Sequence, residues 1–301
     1  MGEGWREAYN MNYWKDRIAG YMMAALAVGA MLLVIALGVG LYLKSAPILH
    51  AHSLWSLLTS TTWKPQQGQF GFLPFLAGTG AVTLLAVVLA LPLSLLLAIY
   101  LSEYANKRVR RFSNSLLDIL AGLPSVIYGV WGTLLIIPWI SCWLAPALHL
   151  SSSGYTVLAG GIVLGVMVIP LMTSLFTELF ANVPVSMRES SLALGSTSWQ
   201  TIKFVVLRKS LPGIIATVVL AISRALGETI AVMMVCGNLP IIPKSLLDAC
   251  YPLPALIANN YGEMLSVPMY ESALMLAALI LFVLVVVFNL GARVVLNKIK
   301  I

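Results

Sequence analysis

Residues 76–102 read LAGTGAVTLLAVVLALPLSLLLAIYLS and contain no charged side chain. A helix needs about 20 apolar residues to cross the hydrocarbon core of a bilayer. Inside lipid, every backbone N–H and C=O group must find its partner within the protein, and a helix provides those partners within one segment. The stretch therefore predicts a membrane-spanning helix, because it is too long and too evenly apolar for a strand of a membrane barrel.

Five more apolar runs of similar length lie on either side of this segment. They are found at 18–43, 116–140, 156–180, 212–238 and 272–292. The composition agrees, since 60% of the 301 residues are apolar and only 10% are charged, against about 25% charged in an ordinary globular chain. So few charges cannot cover a soluble protein, which excludes a soluble enzyme, a disordered protein and a secreted disulfide scaffold. We predict an all-α integral membrane protein with six transmembrane helices.

The distribution of Lys and Arg between the spans indicates the orientation of the chain. Alternate segments hold fourteen and three of these residues, with Arg224 left inside a span. Because Lys and Arg are enriched in cytoplasmic loops, we expect both termini in the cytoplasm. The predicted external loops are 44–75, 141–155 and 239–271. The net charge of +7 in so apolar a chain indicates membrane sidedness rather than nucleic-acid binding.

This topology divides the chain into three parts. The predicted divisions are a cytoplasmic tail, first helix and external loop (1–75), a transmembrane core (76–292) with a cytoplasmic loop at 181–211, and a cytoplasmic tail (293–301).

The cytoplasmic loop at 181–211 carries a helical pattern. Ser186 and Glu189 have the spacing of a capping box, which predicts the start of a short helix. Gly195 is placed where a helix ends in the left-handed conformation. Between them the helix offers a small-residue face, and such a helix suits insertion into a groove on a cytoplasmic partner. The simpler interpretation is a solvated loop with one helical turn. The predicted docking residues are Ser186, Glu189, Ser190, Ser191, Leu194 and Gly195.

Two opposite charges lie inside the fifth predicted span. Arg224 and Glu228 are four residues apart, so on a continuous helix they share one face and can pair. A charge at bilayer depth is costly and usually faces a cavity or another charge. The planar guanidinium of Arg224 is matched to oxyanions such as phosphate. We therefore predict an anion site there, with a buried ion pair that only fixes helix packing as the alternative.

The third predicted span contains LPSVIYGVWG at 123–132. Pro124 cannot donate a hydrogen bond to the carbonyl of Leu120, so the helix is bent or open at this point. Opened backbone at membrane depth is tolerated where it lines a cavity, and Ser125 and Tyr128 add hydroxyl groups. We predict that these two residues line a translocation pathway; the alternative is a packing kink between closely approaching helices.

The sequence offers no catalytic, ATP-binding, cofactor or metal motif. The phosphate-binding pattern G-x-x-x-x-G-K-[ST] is absent, and the three His residues lack carboxylates at ligand spacing. An integral-membrane enzyme is therefore a weaker alternative. A scaffold protein is also a weaker alternative, because that role would not explain why Arg224 and Glu228 lie inside a span. Cys142 and Cys250 both fall on the predicted external side, where a disulfide and two unpaired small hydrophobic residues are both open.

The cytoplasmic loop resembles a known family motif. Glu189-Ser190-Ser191, three further residues and Gly195 are similar to the EAA-x-x-x-G coupling loop of the permease subunits of bacterial ABC importers. Both alanines of the motif are serine here, which is nearly as small. Arg208 stands where the family has a proline, so we expect a less sharply bent helix into the fifth span.

Two further stretches resemble PstC-type permeases of phosphate ABC importers. LPSVIYGVWG and RALGETIAV, with Gly237-Asn238 after four residues, carry this resemblance, which runs from about Gly78 to Leu290. It implies the type I importer permease fold in a bacterial inner membrane, and a role for the matched Arg224 and Glu228. Thr229 and Asn238 belong to the same signature and are predicted translocation residues.

The resemblance also implies the substrate and the partners. The substrate would be inorganic phosphate, with molybdate or sulfate as alternatives on the same fold. A carboxylate such as Glu228 favours phosphate, which keeps a proton to donate at neutral pH, whereas sulfate has none. The implied partners are a second related permease, a dimer of ATP-binding subunits and an external phosphate-binding protein. Any energy source is then supplied by a partner.

Overall fold

The computed structural model describes residues 3–262, 267 and 269–299, with side chains described for 16–262, 267 and 269–294. Within these ranges, six helical segments are long and apolar enough to cross a membrane, and the predicted number of spans is confirmed. The six spans are Asp16–Ala51, Leu73–Tyr104, Ser125–Ala147, Val157–Ala181, Ser198–Leu226 and Tyr270–Val294.

The spans are assembled from α-helices interrupted by short π-helical stretches. The α-helices are α1 (Glu3–Ala51), α2 (Leu54–Thr59), α3 (Leu73–Ile99), α4 (Lys107–Gly122), α5 (Ser125–Trp131), α6 (Ile137–Trp139), α7 (Ala145–Ala147), α8 (Val157–Ala181), α9 (Val185–Ala193), α10 (Ser198–Thr201), α11 (Leu207–Leu226), α12 (Ile230–Val235), α13 (Leu253–Asn260) and α14 (Tyr270–Ile299). The π-helical stretches are Tyr100–Tyr104, Gly132–Ile136, Ile140–Leu144 and Ile202–Val206.

Two of the predicted spans are displaced along the chain. The third was expected at 116–140 but is Ser125–Ala147, because the chain breaks at Pro124 and the apolar residues before it form one side of the separate amphipathic helix α4. The fifth was expected at 212–238 but is Ser198–Leu226. Its helix begins earlier at a capping box on Thr197 and ends earlier at Gly227.

The core of the protein is the pairing of α3 with α8, which pack along one another. Close approach is possible because α8 presents glycine at the contact; a Cβ at Gly161 would collide with the side chain of Leu85. Small residues at helix contacts are typical of membrane proteins, where packing rather than hydrophobicity holds helices together. Toward the end of α8, Phe176 and Phe180 are fully buried and stacked.

The two outer helices lie at the edge of this core. α1 packs against α14, and Gly38 of α1 lies against the ring of Phe282. Most side chains of α1 at positions 16–44 are exposed in the isolated chain, as expected of a helix that faces lipid or another subunit.

The loop between the first two spans is folded. Strands β1 (Trp63–Lys64) and β2 (Gln69–Phe70) form an antiparallel hairpin around a 3-10 turn, Pro65–Gln67. Trp63 packs edge-on against Phe70 and Phe75, with ring centroids 5.7 and 4.9 Å apart. Helix α13 packs beneath this aromatic cluster with Leu253 and Leu256 fully buried.

Candidate translocation and coupling sites

The fifth membrane segment is broken at the predicted anion site. Helix α11 ends at Leu226, and α12 begins only at Ile230, after Gly227 has closed the first helix with an N–H to the carbonyl of Arg224 (3.2 Å). The ion pair of Arg224 with Glu228, the alternative interpretation of these two residues, is not formed in the described chain. Among the described side chains, the ion pairs within 4.0 Å are Lys44–Glu271 and Glu103–Arg188. The pair fails because the helix ends between the two residues, so four-residue spacing no longer places them on one face.

Arg224 lies in the last turn of α11. Its side chain is exposed in the isolated chain. No hydrogen-bond acceptor or carboxylate partner for this guanidinium is found among the described residues. The helix that carries Tyr128, α5, packs against α12, which follows the break after Arg224.

Glu228, unlike Arg224, contacts groups of its own chain. Its Oε1 accepts a weak hydrogen bond from the N–H of Ala231 (3.5 Å) in the first turn of α12. The half-buried side chain lines a narrow cavity against α3, which contributes Thr79 and Thr83. A carboxylate at a helix start is favourably placed relative to the helix dipole. Glu228 is thus held at the break without being committed to Arg224.

The predicted break at Pro124 is present, and a side chain compensates for it. Helix α4 ends at Gly122, and Pro124 is the N-cap of α5, which begins at Ser125. The Tyr128 hydroxyl donates to the carbonyl oxygen of Leu120 at 2.7 Å, which is the carbonyl that a proline at position 124 cannot satisfy. Tyr128 is therefore buried and fixed.

The remaining signature residues lie elsewhere around α12. Thr229 lies in the break and donates to the carbonyl of Gly227 at 3.3 Å. Asn238 follows the far end of α12, which separates it from Arg224. It has a positive φ of 53°, and its Nδ2 donates to the carbonyl of Met233 at 2.8 Å.

The loop at 181–211, predicted to be cytoplasmic, forms helix α9, but the predicted capping box is wrong. The helix starts at Val185 with Pro184 as N-cap and no side-chain capping bond. The N-cap is Pro184, two residues earlier than expected, so Ser186 lies inside the first turn and cannot cap it. The capping box occurs instead before the next helix, where Thr197 N–H donates to Gln200 Oε1 at 2.8 Å and Gln200 N–H to Thr197 Oγ1 at 3.2 Å.

The predicted left-handed end of α9 at Gly195 is present. Gly195 adopts a φ of 83°, which favours glycine. The N–H of Gly195 donates to Leu192 O (2.9 Å) and the N–H of Ser196 to Ser191 O (3.3 Å), the two bonds of a Schellman motif. None of the side chains of α9 is buried in the isolated chain. The exposed residues include Ser186, Glu189, Ser190 and Leu194, so these side chains are available to another subunit.

Comparison with known proteins identifies the family. Residues 90–301 match the family described as binding-protein-dependent transport system inner membrane component. The chain belongs to this family. It is therefore a permease component of the inner membrane, and the predicted resemblance to PstC-type permeases is confirmed by its relatives.

Several curated relatives of this permease are similar over most of their length. It is 35% identical over 259 residues to a phosphate transport system permease protein PstC of Xylella fastidiosa (strain 9a5c), covering 81% of this chain and 79% of that protein. It is 36% identical over 246 residues to a probable ABC transporter permease protein YqgH of Bacillus subtilis (strain 168), with 81% and 78% covered. A probable phosphate transport system permease protein PstC of Methanocaldococcus jannaschii is 34% identical over 280 residues, with 88% of each chain covered.

Solved structures establish the fold of the permease. A chain of a bacterial ABC transporter involved in the import of the acidic polysaccharide alginate matches with a TM-score of 0.66 at 15% identity, over 96% of this chain and 100% of that one. A chain of the MetNI methionine ABC transporter in an inward-facing conformation matches with a TM-score of 0.60 at 18% identity, over 79% and 99%. The predicted type I ABC importer permease fold is confirmed.

One contact of the permease was not predicted from its sequence. Arg188 of α9 donates to the carbonyl of Val183 (Nη1, 2.6 Å), to the carbonyl of Phe180 (Nη2, 2.6 Å) and to Glu103 Oε1 (Nη2, 2.9 Å). The Arg188 and Glu103 side chains are 19% and 14% exposed. In the sequence, Arg188 is only one of the positive charges of the loop that is predicted to be cytoplasmic. Nothing in the local pattern links it to a carboxylate 85 residues earlier.

The cysteines of the permease are all unbonded, which answers the open question on Cys142 and Cys250. Cys142 is exposed, whereas Cys250 is buried beside Cys236, with its N–H donating to the Cys236 carbonyl at 2.9 Å. The two buried thiols are therefore neighbours, and they behave as small core residues between the loop and the spans.

Proposed function

We propose that the chain is the transmembrane permease subunit of an ATP-driven importer of inorganic phosphate. The observation that carries the proposal is Arg224, a guanidinium inside the fifth membrane segment with no partner among the described residues of its own chain. An uncompensated charge within the bilayer is expensive, and such residues mark ion pathways. Several relatives at 31–35% identity are described as phosphate transport system permease proteins PstC, which supports phosphate as the anion.

Glu228 favours phosphate over the other oxyanions. Because it does not pair with Arg224, its carboxylate remains available to accept a hydrogen bond. Hydrogen phosphate keeps an O–H group at neutral pH that can donate this bond, and fully ionised sulfate or molybdate has none. The proposed translocation residues are thus Arg224, Glu228, Tyr128, Ser125, Thr229 and Asn238, with Pro124 opening the backbone of the third span.

The chain performs no catalysis of its own in this proposal. Two copies of an ATP-binding subunit hydrolyse ATP and dock on α9 through its exposed residues. A second related permease completes the pathway, and an external phosphate-binding protein delivers the anion. Solved complexes with the same fold include a bacterial alginate ABC transporter with an alginate pentasaccharide-bound periplasmic protein. The fold is therefore compatible with delivery from outside.

Reconstitution tests the proposal directly. The chain, purified with these partners, is placed in liposomes loaded with ATP, and uptake of radiolabelled phosphate is measured with the binding protein outside. We expect uptake that requires ATP and this chain and that is unaffected by a large excess of sulfate or molybdate. Equal inhibition by molybdate, or uptake in liposomes from which this chain is omitted, would contradict the proposal.

The proposal also fixes the orientation, with both termini and α9 in the cytoplasm. We expect a single cysteine at Gln67, in the exposed turn of the hairpin, to react with an impermeant thiol reagent applied to intact cells. A cysteine at Lys107, exposed at the start of α4, should react only after the cells are opened. Cys142 is replaced by serine in both variants because it is exposed. Labelling of position 107 in sealed cells contradicts the orientation.

A further inference from the structure

The attachment of α9 to the rest of the chain is unusual for a helix that must carry force. No side chain of α9 is buried, so the helix is not held by apolar packing. Its ends are joined to α8 and α10 by short connections. The contacts that fix its side are the hydrogen bond between Ser191 and Thr201 hydroxyls (2.9 Å) and the three donated bonds of Arg188.

Arg188 connects α9 with two membrane spans at once. The carbonyl of Phe180 lies in the last turn of α8, where the helix dipole is negative, and the carbonyl of Val183 follows just after this helix. The Phe180 carbonyl also accepts from the N–H of Val183 at 3.2 Å. Glu103 lies in the π-helical stretch that ends the second span. Because α9 is already joined to α8 through the chain, the bond to Glu103 is the one that adds the second span.

The geometry of this contact suits transmission of movement. A guanidinium is a rigid planar fork, so bonds to several acceptors fix their relative positions. Both side chains are mostly buried, and Ser102 Oγ also donates to Glu103 Oε1 at 3.3 Å. The second span then runs, packed on α8, to Thr79 and Thr83, which line the cavity beside Glu228.

We propose that the Arg188–Glu103 ion pair is the joint through which displacement of α9 by the ATPase moves the second span. Arg188 and Glu103 are positioning residues: they contact neither phosphate nor ATP, and they make the movement of α9 reach the anion pathway. The proposal rests on the proposed function, because it takes α9 as the ATPase docking helix.

The first test separates coupling from stability. Glu103→Gln keeps the size of the side chain but removes its charge, while Arg188 retains both carbonyl acceptors. In the reconstituted complex we expect phosphate transported per ATP hydrolysed to fall at least about 5-fold, the lower end of typical coupling between sites. Arg188→Lys should lower the same ratio, because one ammonium cannot bridge acceptors on two spans.

Glu178→Gln is the matched control, since Glu178 is an exposed carboxylate near the end of α8 and lies outside both ion pairs. It should leave the ratio unchanged. The joint is contradicted if Glu103→Gln lowers only the amount of assembled complex, or if Glu178→Gln lowers the ratio equally.

A distance measurement tests the joint without phosphate. Nitroxide labels are placed at Lys107, just after the second span, and at Leu194, the exposed C-cap of α9, with Cys142 replaced by serine. In the complex with native Glu103, ATP binding should leave one narrow distance distribution, because the two elements move together. In Glu103→Gln the distribution should broaden or shift on ATP binding. Identical distributions in the two forms contradict the joint, whereas absence of phosphate uptake with these distance changes intact contradicts only the proposed function.

Discussion

Arg188 and Arg224 of the permease have opposite hydrogen-bonding environments. Arg188, beneath the membrane core, donates to two carbonyls and one carboxylate of its own chain. Arg224, at the break in the fifth membrane segment, is exposed in the isolated chain and has no hydrogen-bond acceptor or ion-pair partner among the described residues. A side chain that is satisfied internally can hold elements together, while one that is left open at membrane depth needs a partner from outside.

The cost of each arrangement explains the difference in role. An arginine at the bilayer centre costs about 3 kcal/mol even on insertion scales. Arg224 lies in the last turn of α11, at the end of the fifth span, and no carboxylate of the described chain pairs with it. We infer that an anion, or the second permease, supplies the compensating charge. For Arg188 the two terminal guanidinium nitrogens donate to acceptors of the same chain, while the buried Nε has no acceptor among the described residues. The function of Arg188 is then to join elements rather than to bind a ligand.

The largest effect is expected from removing the open guanidinium. Arg224→Gln should lower phosphate uptake by about 100-fold, since two charge-assisted hydrogen bonds to an anion are lost. The amount of assembled complex should change little, because no ion pair within the chain is broken. Uptake and complex are measured on the same preparations.

The double variant Arg224→Gln with Glu228→Gln sharpens this comparison. If the two charges only neutralised one another, removing both would restore uptake. The structure keeps them apart, so we expect no rescue. Arg224→Lys should recover part of the uptake, because an ammonium supplies charge without the two-pronged contact. Full uptake by the double variant would show that the residues form a structural pair in the working complex.

The next effect compares two neighbours on α9. Arg188 points into the protein, whereas Glu189 is exposed and forms no capping bond. Glu189→Lys should therefore leave the helix intact and lower uptake by roughly 10-fold, by reversing a charge on the docking surface. The measurements are uptake and the amount of ATPase that copurifies.

Ser186→Ala is the control for the helix start. Truncating a side chain that capped the helix would cost about 1 kcal/mol, but the Ser186 hydroxyl accepts no capping bond from the backbone of α9. We expect unchanged thermal stability of the complex. A clear loss of stability in Ser186→Ala, or normal uptake in Glu189→Lys, would contradict the separation of an inward and an outward side of α9.

A smaller effect is expected at Tyr128 in the third span. Tyr128→Phe leaves the carbonyl of Leu120 without the hydroxyl that lies 2.7 Å away. An unsatisfied buried carbonyl costs about 1–3 kcal/mol, so the temperature of half-inactivation should fall measurably. Uptake should fall only a few-fold, because Arg224 keeps its charge. A variant as inactive as Arg224→Gln at equal stability would make the hydroxyl itself an anion ligand.

Features fixed by local chemistry were predictable from the sequence. The number of spans follows from apolar length, and the six helices are present. The break at Pro124 follows from the missing N–H of proline, and the left-handed end of α9 follows from Gly195. Each of these depends only on residues within one or two turns.

The errors arise where a neighbouring residue or a distant contact decides. Gly227 ends α11 and so separates Arg224 from Glu228, although the four-residue spacing suggested a pair. Pro184 is the N-cap of α9, two residues before Ser186, the expected cap. The Arg188–Glu103 bond joins residues 85 positions apart, and no periodicity within a single helix can indicate such a partner.

The smallest effect is expected at the other ion pair of the described chain, and it tests whether burial is what makes Arg188 matter. Lys44 Nζ lies 3.2 Å from Glu271 Oε1 and joins the first and last spans, but the side chains are 67% and 49% exposed. Water screens such a pair, and ordering two long side chains offsets much of its attraction, so exposed pairs contribute about 0–1 kcal/mol.

We expect Lys44→Gln to leave uptake, and phosphate transported per ATP, within about twofold of the native permease. Uptake and hydrolysis are measured in low and high salt, because a screened pair should matter slightly more at low salt. If Lys44→Gln lowered the ratio as much as Glu103→Gln, any salt bridge between spans would couple them, and the distinction between a buried joint and a surface contact would be lost.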